Sequence, residues 1–430
     1  MMGKKIYMRR EDKIIDIAVI GGGASGLVAA LAAAKLGAER EIPLTVTVLE
    51  RQDRVAKKLL ATGNGRCNFT NIGAEEKNYH GRDVDFVVPA MTEFNPLSNI
   101  HFFCEMGILP RYEDEGKVYP YSGQASSMVD VLRLTAARWN VGIVTDCRVE
   151  ALAKEGALFY IKCGDQSHWA RRIIMATGGM AAPDLGGNGS GYKILTSLGH
   201  GQVPLFPSLV QIKTDNSLPK ALKGIKFKGA AALYNGKTLL RREYGEVLFT
   251  EYGLSGPPIL QLSRCLAENQ YGDITVALDF FPEFTEEKLR ELLCERRRDL
   301  GHLTLEHFLT GMMNKKTGQL LLKRVLETQL SRKVSALSDH DIEKMVHALK
   351  RYSLSVLGAL GWKNAQVTAG GIDTRDFDDT TMESRVTPGL YACGEVLDID
   401  GDCGGYNLQW AWASGRLAGE RAALSLEEEA

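Results

Sequence analysis

The chain has 430 residues, of which 44% are hydrophobic and 24% are charged, and its formal net charge is −1. A chain of this length is too long for one ordinary hydrophobic core, so we expect two or three domains, and the composition excludes a largely disordered protein. The near-zero net charge argues against a general electrostatic hold on nucleic acid or on anionic lipid.

The first apolar stretch runs from Ile14 to Leu36 and is long enough to cross a bilayer. Asp16, Lys35 and three consecutive glycines interrupt it, so a strand, a glycine turn and a helix explain it better than a membrane span. The basic residues 1–13 before it contain no apolar segment, so we predict no signal peptide.

This stretch contains a dinucleotide-binding fingerprint. The segment 14–20 is typical of a buried strand, and 27–37 has the alanine and leucine content of a helix. Between them, Gly21, Gly23 and Gly26 fill the pattern G-x-G-x-x-G. The first glycine allows a tight turn, the second lets the backbone approach a pyrophosphate, and the third lets the helix pack on the strand.

A second predicted strand, 44–49, ends at Glu50, 24 residues after Gly26. An acid in this place binds a ribose hydroxyl of adenosine, and the free N–H groups at the helix N-terminus bind the phosphates. The order of strand, glycines, helix, strand and acid therefore predicts a dinucleotide-binding domain.

Later segments favour FAD over NAD. Residues 169–179 look like a strand running into an Ala-Thr-Gly turn, a feature of flavoprotein domains of the glutathione-reductase type. A strand at 390–393 would likewise lead into Gly394. An acid after it, Glu395 or Asp398, would then face the ribityl and phosphate groups.

The segment 401–409 opens an alanine-rich helix, predicted over 410–424. The N-terminus of that helix could aim N–H groups at the flavin edge where negative charge accumulates on reduction. Three such glycine-rich segments, spaced across the chain, are more than ordinary loop turns would explain.

The sequence resembles the bacterial BaiN/RdsA family of NAD(P)/FAD-dependent oxidoreductases over nearly its whole length. The TGNGRCN and GGYNLQ segments are more specific than the glycine fingerprint, because generic dinucleotide folds lack them. The segments that carry the resemblance are 21–26, 58–71, 176–179, 248–257, 367–372 and 404–409. Ser190 and Glu251 depart from the residues that are frequent in the family at these positions, so the substrate stays open.

The resemblance implies an α/β fold with a discontinuous Rossmann-like FAD-binding domain of the glutathione-reductase type, formed by residues 1–205 and 362–430. A β-barrel-like substrate domain at 206–282, joined by part of 330–361, and a helical insert at 283–361 would interrupt it. Alternating apolar residues at 230–234 and 274–278 fit strands of the barrel-like domain.

Three helices are predicted in the helical insert: 286–297, 316–330 and 342–357. Thr285 could cap the first, without a capping box because Lys288 stands at the third position. Gly358 follows the last, where a helix commonly ends.

The resemblance places the TGNGRCN segment in the flavin pocket, where Gly65 would let the backbone come close. Asn68 could hydrogen-bond the flavin rim, and Arg66 could neutralise a phosphate or a reduced flavin. For Cys67 we favour a packing or flavin-contact role over a redox thiol. The full set of predicted cofactor contacts is Gly21, Gly23, Ala24, Ser25, Gly26, Glu50, Arg51, Lys58, Gly65, Arg66, Cys67, Asn68, Val149, Thr177, Gly178, Gly179, Gly394, Glu395, Asp398, Gly405, Tyr406, Asn407 and Leu408.

The eight cysteines are scattered and form no CxxC pair, and the eight histidines form no ligand cluster. This spacing supports neither a zinc site nor a disulfide framework. We therefore expect no metal, and reduced thiols in a cytoplasmic protein.

Two chemistries compete within the oxidoreductase class. One is an NAD(P)H-dependent reductase of an activated C=C bond, on a substrate like a bile-acid intermediate; the other is an amine oxidase of the aminoacetone type that uses O₂. We favour the first, with NAD(P)H as a transient donor because the chain has one dinucleotide fingerprint. A non-catalytic redox sensor or a partner in nucleic-acid modification is a third hypothesis.

We expect a small-molecule substrate and no nucleic-acid or membrane partner, while the oligomeric state is unknown. Catalytic residues cannot be assigned from the sequence. Tyr252, Tyr406 and Asn407 are candidates for substrate or flavin contact, although a structural role is equally consistent with each.

Overall fold

A computed structural model of the protein describes residues 13–215, 217–269 and 272–427. The described chain divides into two compact units: the first runs to Phe206 and resumes at Gln366, and the second is Pro207–Ala365. The basic N-terminal segment, apart from Lys13, lies outside the described residues. The three functional domains predicted from the sequence stay predictions.

The first unit begins with short strands and helices around one central sheet. Its strands up to the unit boundary are β1 (Ile14–Ile20), β2 (Val46–Leu49), β3 (Thr70–Asn71), β4 (Tyr79–His80), β5 (Pro110–Tyr112), β6 (Lys117–Pro120), β7 (Gly142–Val144), β8 (Ala151–Glu155), β9 (Leu158–Cys163), β10 (Gln166–Met175) and β11 (Phe206–Ser208). Its helices there are α1 (Ala24–Glu39), α2 (Lys57–Ala61), α3 (Val88–Glu93), α4 (Pro96–Glu105), α5 (Ala125–Arg138) and α6 (Ser190–Ser197).

The second unit is a closed barrel with helices packed on it, and its core is made of aliphatic side chains such as Val276 and Leu278. Its strands are β12 (Ile212–Thr214), β13 (Lys226–Asn235), β14 (Thr238–Phe249), β15 (Gly253–Ser255), β16 (Ile274–Asp279) and β17 (Tyr352–Ala359). They close in the order β12-β15-β14-β13-β16-β17. Its helices are α7 (Ser217–Ala221), α8 (Pro257–Glu268), α9 (Glu286–Asp299), α10 (Lys315–Val325) and α11 (Asp339–Lys350).

The helix predicted over 342–357 is wrong beyond Lys350, because β17 begins at Tyr352 and closes the barrel against β16 and β12. Tyr352, Leu354 and Val356 alternate with serines, which is the period of a strand with one buried face. Gly358 therefore lies inside a strand, at φ +127°, and ends no helix.

Two further helix predictions can be checked in this unit. The helix predicted to reach residue 330 ends at Val325, and Glu327 adopts a left-handed φ of +48° that a helix cannot continue through. The capping prediction is confirmed, because the Thr285 hydroxyl accepts a hydrogen bond from the Lys288 N–H at 3.3 Å.

The chain returns to the first unit with β18 (Val367–Ala369), β19 (Leu390–Ala392), β20 (Asp400–Gly401) and α12 (Tyr406–Glu427). The central sheet has the order β7-β2-β1-β10-β9-β8, with β19 paired to β10. Strands β7, β2, β1, β10 and β19 run parallel, whereas β8 and β9 continue from β10 as an antiparallel hairpin. The strand predicted at 14–20 is confirmed as β1.

Helix α12 packs directly on α1 because two glycines face it. A Cβ on Gly415 would lie 2.6 Å from the Ser25 carbonyl oxygen, and one on Gly419 would lie 2.2 Å from that of Ala29. Both distances are far below van der Waals contact, so only glycine permits this approach. Of the helices that the structure describes, none is long and apolar enough to span a membrane.

Candidate cofactor site

Four strands of the central sheet end at the same edge. Ile20 of β1 lies opposite Leu49 of β2 and Met175 of β10, and Met175 lies opposite Ala392 of β19. Parallel strands bring their carboxyl ends together, so the four segments that follow them meet there. In an open α/β sheet, ligands bind in the crevice at the carboxyl ends of the strands.

Gly21 and Gly26 let the turn after β1 close tightly. A Cβ on Gly26 would lie 1.9 Å from the Gly21 carbonyl oxygen, and one on Gly21, whose φ is +108°, would lie 2.5 Å from the Ala176 carbonyl oxygen. Gly23 differs, since a Cβ there would meet no protein atom within 4 Å. Two glycines are therefore required by the protein itself, and the third faces open space.

The N-terminus of α1 is left for a ligand. No side chain caps it at Gly23, and its first turn carries no acidic residue. The first N–H groups of a helix lack partners within the helix and carry its positive dipole end. Ala24 and Ser25 lie in this turn, which is suited to an anion such as a pyrophosphate.

Glu50 lies directly after β2, as predicted. Its two carboxylate oxygens accept the N–H groups of Gly22 and Gln52, each at 2.7 Å, and each oxygen keeps a further lone pair. The neighbouring Arg51 donates to the Gly186 carbonyl at 3.0 Å, and so is already engaged. Val149 is buried on the segment between β7 and β8.

The 58–71 segment, which contains TGNGRCN, lies beside the start of α12, and a Cβ on Gly405 would lie 3.1 Å from the Asn68 side-chain oxygen. The Asn71 amide donates to the Gly404 carbonyl at 3.1 Å, and the Thr70 hydroxyl donates to Gln409 Oε1 at 2.7 Å. A Cβ on Gly405 would lie 2.6 Å from the Thr70 carbonyl oxygen. The two family segments thus form one wall.

Glu395 joins three segments at the crevice. It pairs with Lys58 at 2.7 Å and accepts the Thr368 N–H at 2.8 Å. The Thr368 hydroxyl in turn accepts the N–H groups of Met180 and Ala181. Sequence reasoning missed Thr368 as an individual residue, and only its place in the 367–372 segment marked it.

The Ala-Thr-Gly turn leaves one polar atom unsatisfied. The Thr177 hydroxyl is buried and has no hydrogen-bond partner, and a Cβ on Gly178 would meet no protein atom within 4 Å. Gly179, in contrast, packs on Thr368, at 2.3 Å from its hydroxyl oxygen to the Cβ position. The Thr177 hydroxyl faces Gly191 of α6, where a Cβ would lie 1.9 Å from it, so the space open to a ligand in this turn is the one at Gly178.

Several residues that were predicted to contact the cofactor already form hydrogen bonds or ion pairs with other residues of the protein. Arg66 pairs with Glu113 and stacks 4.0 Å over the Tyr119 ring, and this pair holds the pKa of the Glu113 carboxyl below its ordinary value. Asn68 accepts the Val118 N–H at 3.2 Å. Asp398, which is buried, accepts the Arg82 N–H at 2.9 Å.

Two of the predicted cofactor contacts are glycines with different roles: Gly394 lets two segments approach closely, and Gly65 lets the chain turn. A Cβ on Gly394 would lie 2.5 Å from the Ser25 hydroxyl, which places the end of β19 against the start of α1. Gly65, at φ +82°, is half of a left-handed turn in the TGNGRCN segment.

At the start of α12, Asn407 closes its own loop. Its Oδ1 accepts the Gly401 N–H at 2.8 Å, and its Nδ2 donates to the carbonyls of Gly401 and Asp402. Tyr406 packs edge-on against Tyr79, and both it and Leu408 are half-buried. Asn407 therefore shapes the loop and has little capacity left for a ligand. The third candidate, Tyr252, lies in the second unit.

Cys67 is fully buried at a left-handed φ of +59°, and burial raises the pKa of its thiol to about 12. A thiol with this pKa is protonated at neutral pH and is a poor nucleophile. The preference for a packing role over a redox thiol fits this environment.

We therefore expect Cys67→Ala to keep flavin reduction within about twofold of the wild-type rate and to cost about 1 kcal/mol of stability, the effect of a small buried truncation. Stopped-flow reduction and thermal melting measure the two quantities. Cys104→Ala, at an exposed thiol, is the control. A loss of reduction above tenfold with FAD still bound would assign the Cys67 thiol a chemical role.

One cluster contradicts the expectation of scattered cysteines and unclustered histidines. Within the described residues, Cys147, Cys163 and His168 bring two sulfurs and a ring nitrogen within 4.8 Å of one another. Both cysteines are free thiols. Their separation of 16 residues carries no recognised spacing, and the β8–β9 hairpin that brings the segment before β8 beside Cys163 is not visible as a motif.

Comparison with known proteins identifies a family and several relatives of the chain. Residues 15–421 match the family described as HI0933-like protein Rossmann domain. A 3-dehydro-bile acid delta(4,6)-reductase of Clostridium scindens is 39% identical over 412 residues, which cover 95% of this chain and 98% of that protein.

Two further relatives are ribosomal RNA dihydrouridine synthases. That of Haemophilus influenzae is 30% identical, covering 92% of this chain and 95% of the relative. That of Escherichia coli is 29% identical, covering 93% and 96%. Among solved structures, 3-ketosteroid delta1-dehydrogenase from Sterolibacterium denitrificans has a TM-score of 0.50 at 15% identity, covering 95% of this chain and 99% of that one, which shows a shared fold.

Proposed function

The chain belongs to the HI0933-like Rossmann-domain family, and we propose that it is an FAD-dependent oxidoreductase that reduces an activated C=C bond with NAD(P)H as the electron donor. The resemblance to the BaiN/RdsA family is confirmed by this membership and by the relative of 39% identity. The observation that carries the oxidoreductase class and the FAD cofactor is the meeting of four strand ends at one glycine-lined crevice in a chain of this family.

The residues present fit an extended dinucleotide. The N–H groups at the start of α1 and the open space at Gly23 suit the pyrophosphate, and Glu50 suits the adenosine ribose. The wall formed by the TGNGRCN segment and the start of α12 would hold the flavin end. When bound, FAD supplies hydride transfer between a donor and a carbon acceptor.

The chain's own residues bind and orient the cofactor. The Lys58–Glu395 pair links α2 to the segment after β19. The first turn of α12 carries no acidic side chain, so its dipole favours negative charge placed against it. A site built in this way stabilises developing negative charge without having to rearrange.

The reactions for which these relatives are named are of one type. A delta(4,6)-reductase of a 3-dehydro-bile acid and a dihydrouridine synthase both name a hydrogen addition across a C=C bond. In the 3-dehydro steroid and in the uracil ring that bond is conjugated with a carbonyl, so a hydride adds at the far carbon and a proton adds beside the carbonyl. We propose a small-molecule enone of this kind as the substrate, with a 3-oxo-4,6-diene steroid acid as the first probe.

Anaerobic mixing of the FAD-loaded protein with NADH or NADPH tests the donor. We expect one of the two to bleach the visible flavin absorbance rapidly, and the 3-oxo-4,6-diene acid to restore it with loss of the conjugated chromophore. Flavin that stays oxidised with both nucleotides would contradict the reductase proposal. Bleaching by aminoacetone instead, with peroxide formed when O₂ is admitted, would establish the amine oxidase.

Ribosomal RNA is the second candidate substrate, since two relatives named for it cover more than nine-tenths of this chain. The formal net charge of −1 favours a small molecule over RNA. The assay is dihydrouridine formation in unmodified ribosomal RNA with the reduced protein. If the protein reduces RNA but not the diene acid, the substrate is RNA and not a steroid-like enone, while the proposed reductase chemistry still holds.

A further inference from the structure

Cys147, Cys163 and His168 lie together outside the crevice described above, and we call them the dithiol cluster. Cys147 lies on the segment between β7 and β8, Cys163 is the last residue of β9, and His168 lies near the start of β10. In the β9–β10 pairing, Cys163 is opposite Gln166 and His168 is opposite Ile161. Alternate residues of a strand share a face, so Cys163 and His168 project from the same side of the hairpin.

The two sulfur atoms lie 3.0 Å apart. This separation is shorter than the distance between two sulfur atoms in van der Waals contact. A small rotation of either side chain would bring the sulfurs to the bonding distance of about 2.05 Å. Both side chains are buried, at 5% exposure for Cys147 and 8% for Cys163, so each sulfur has the other as its nearest reaction partner.

The acid–base properties of the two thiols are unequal. The hydrogen bond with Cys163, followed by the neighbouring His168 ring, holds the pKa of Cys147 well below its ordinary value. The same contact, together with burial, raises the pKa of Cys163. Cys147 is therefore the thiol of the pair that ionises first. The His168 ring lies beside the pair, with Nε2 buried and one ring nitrogen within 4.8 Å of both sulfurs.

We propose that Cys147 and Cys163 form a reversible dithiol–disulfide site that is oxidised by a hydroperoxide. The Cys147 thiolate attacks a peroxide oxygen, the O–O bond breaks, and Cys147 becomes a sulfenic acid as the peroxide is reduced to water or an alcohol. The Cys163 sulfur then attacks Cys147 Sγ, the S–O bond breaks, and the leaving oxygen takes the thiol proton to form water. Two thiols and one hydroperoxide thus give one disulfide and two molecules of water, or one water and one alcohol; a small dithiol reverses the reaction by exchange.

A metal site fits this geometry less well. Tetrahedral zinc with bonds of about 2.3 Å to sulfur holds two cysteine sulfurs roughly 3.7 Å apart, and it needs a fourth ligand. The cluster offers three ligand atoms, and its sulfurs are closer than such a site allows. Zinc binding is therefore an outcome that the experiment has to separate from oxidation.

Backbone hydrogen bonds connect the dithiol cluster to the cofactor crevice, and one of them is made by Cys147 itself. The Cys147 N–H donates to the Glu50 carbonyl at 2.8 Å, and Glu50 holds the predicted ribose position. Closing the disulfide pulls on Cys147 and hence on that bond. We infer that the oxidised protein holds FAD several-fold more weakly than the reduced protein, an effect that rests on the proposed function, whereas the oxidation itself does not.

The test treats the full-length protein with hydrogen peroxide, blocks the remaining thiols by alkylation, and maps the peptides by mass spectrometry. We expect a crosslink between Cys147 and Cys163 that forms in preference to any other cysteine modification and is lost on reduction with dithiothreitol. In Cys163→Ser the reaction should stop at a sulfenic acid on Cys147, which a dimedone probe traps. In Cys147→Ser the Cys163 thiol should stay reduced.

His168→Gln is the matched variant for the acid–base step, and we expect it to slow oxidation by roughly tenfold because the thiolate fraction falls. Cys104→Ser, at an exposed thiol, should leave the rate unchanged. Circular dichroism confirms that each variant is folded. Zinc that copurifies at one equivalent and is lost in Cys147→Ser, or peroxide treatment that leaves the two thiols free in folded protein, would overturn the proposal. If the crosslinked protein binds FAD as tightly as the reduced protein, only the inferred effect on FAD through Glu50 is wrong, and the oxidation of the two cysteines still stands.

Discussion

Gly23→Val should abolish FAD retention while leaving the cofactor-free protein folded. The Cβ position of Gly23 meets no protein atom within 4 Å, and the residue has φ −79° and ψ −166°, which valine adopts without strain. Valine at the first residue before a helix costs about 1 kcal/mol at most. Its two methyl groups would fill the space left at the start of α1, where a pyrophosphate has to approach the backbone.

We expect the dissociation constant for FAD to rise at least about 100-fold, which corresponds to about 3 kcal/mol of binding free energy. Equilibrium titration of the cofactor-free protein measures it, and differential scanning calorimetry should place the melting temperature within about 4 °C of wild type. Gly361→Val is the control, because its Cβ position is also open and it lies in the second unit. Tight FAD binding by folded Gly23→Val would show that the crevice holds no pyrophosphate at this turn.

The parts of the fold that could be predicted are those in which local chemistry and position along the chain coincide. The segment from Ile14 to Gly26 carries a strand, its turn and the helix start within 13 residues, and β1 and α1 appear there. Glu50 could be placed because the acid follows a short second strand. The start of α9 could be placed because Thr285 caps it.

What could not be predicted depends on contacts between distant segments. Leu354 is buried in a strand because β16 and β12 lie on either side of it, and no local feature reveals those partners. The same holds for Thr368, whose hydroxyl joins turns almost 200 residues away. Cys147 and Cys163 meet because β8 pairs with β9, so their spacing in sequence indicated nothing.

Gly419→Leu should destabilise the protein far more than Gly23→Val. Helices α1 and α12 come from opposite ends of the chain, and a Cβ on Gly419 would lie 2.2 Å from the Ala29 carbonyl oxygen. That oxygen belongs to the α1 backbone, so no side-chain rotation relieves the clash, and the helices have to separate. Overpacking of a buried helix contact, with the loss of packing around it, should cost about 3–5 kcal/mol.

The melting temperature of the cofactor-free protein should fall by on the order of 10 °C. Arg421→Leu is the matched control on the same helix, because it loses a partly exposed ion pair with Glu93 and an exposed hydrogen bond to the Thr380 carbonyl, each of which contributes about 1 kcal/mol at most. Because α1 carries the predicted phosphate-binding turn at its N-terminus, separation of the helices should weaken FAD binding as well. Gly419→Leu therefore loses stability and affinity together, whereas Gly23→Val loses affinity alone. A melting temperature within 2 °C of the control, about the shift of a 1 kcal/mol change, would mean that α1 and α12 do not make this close contact.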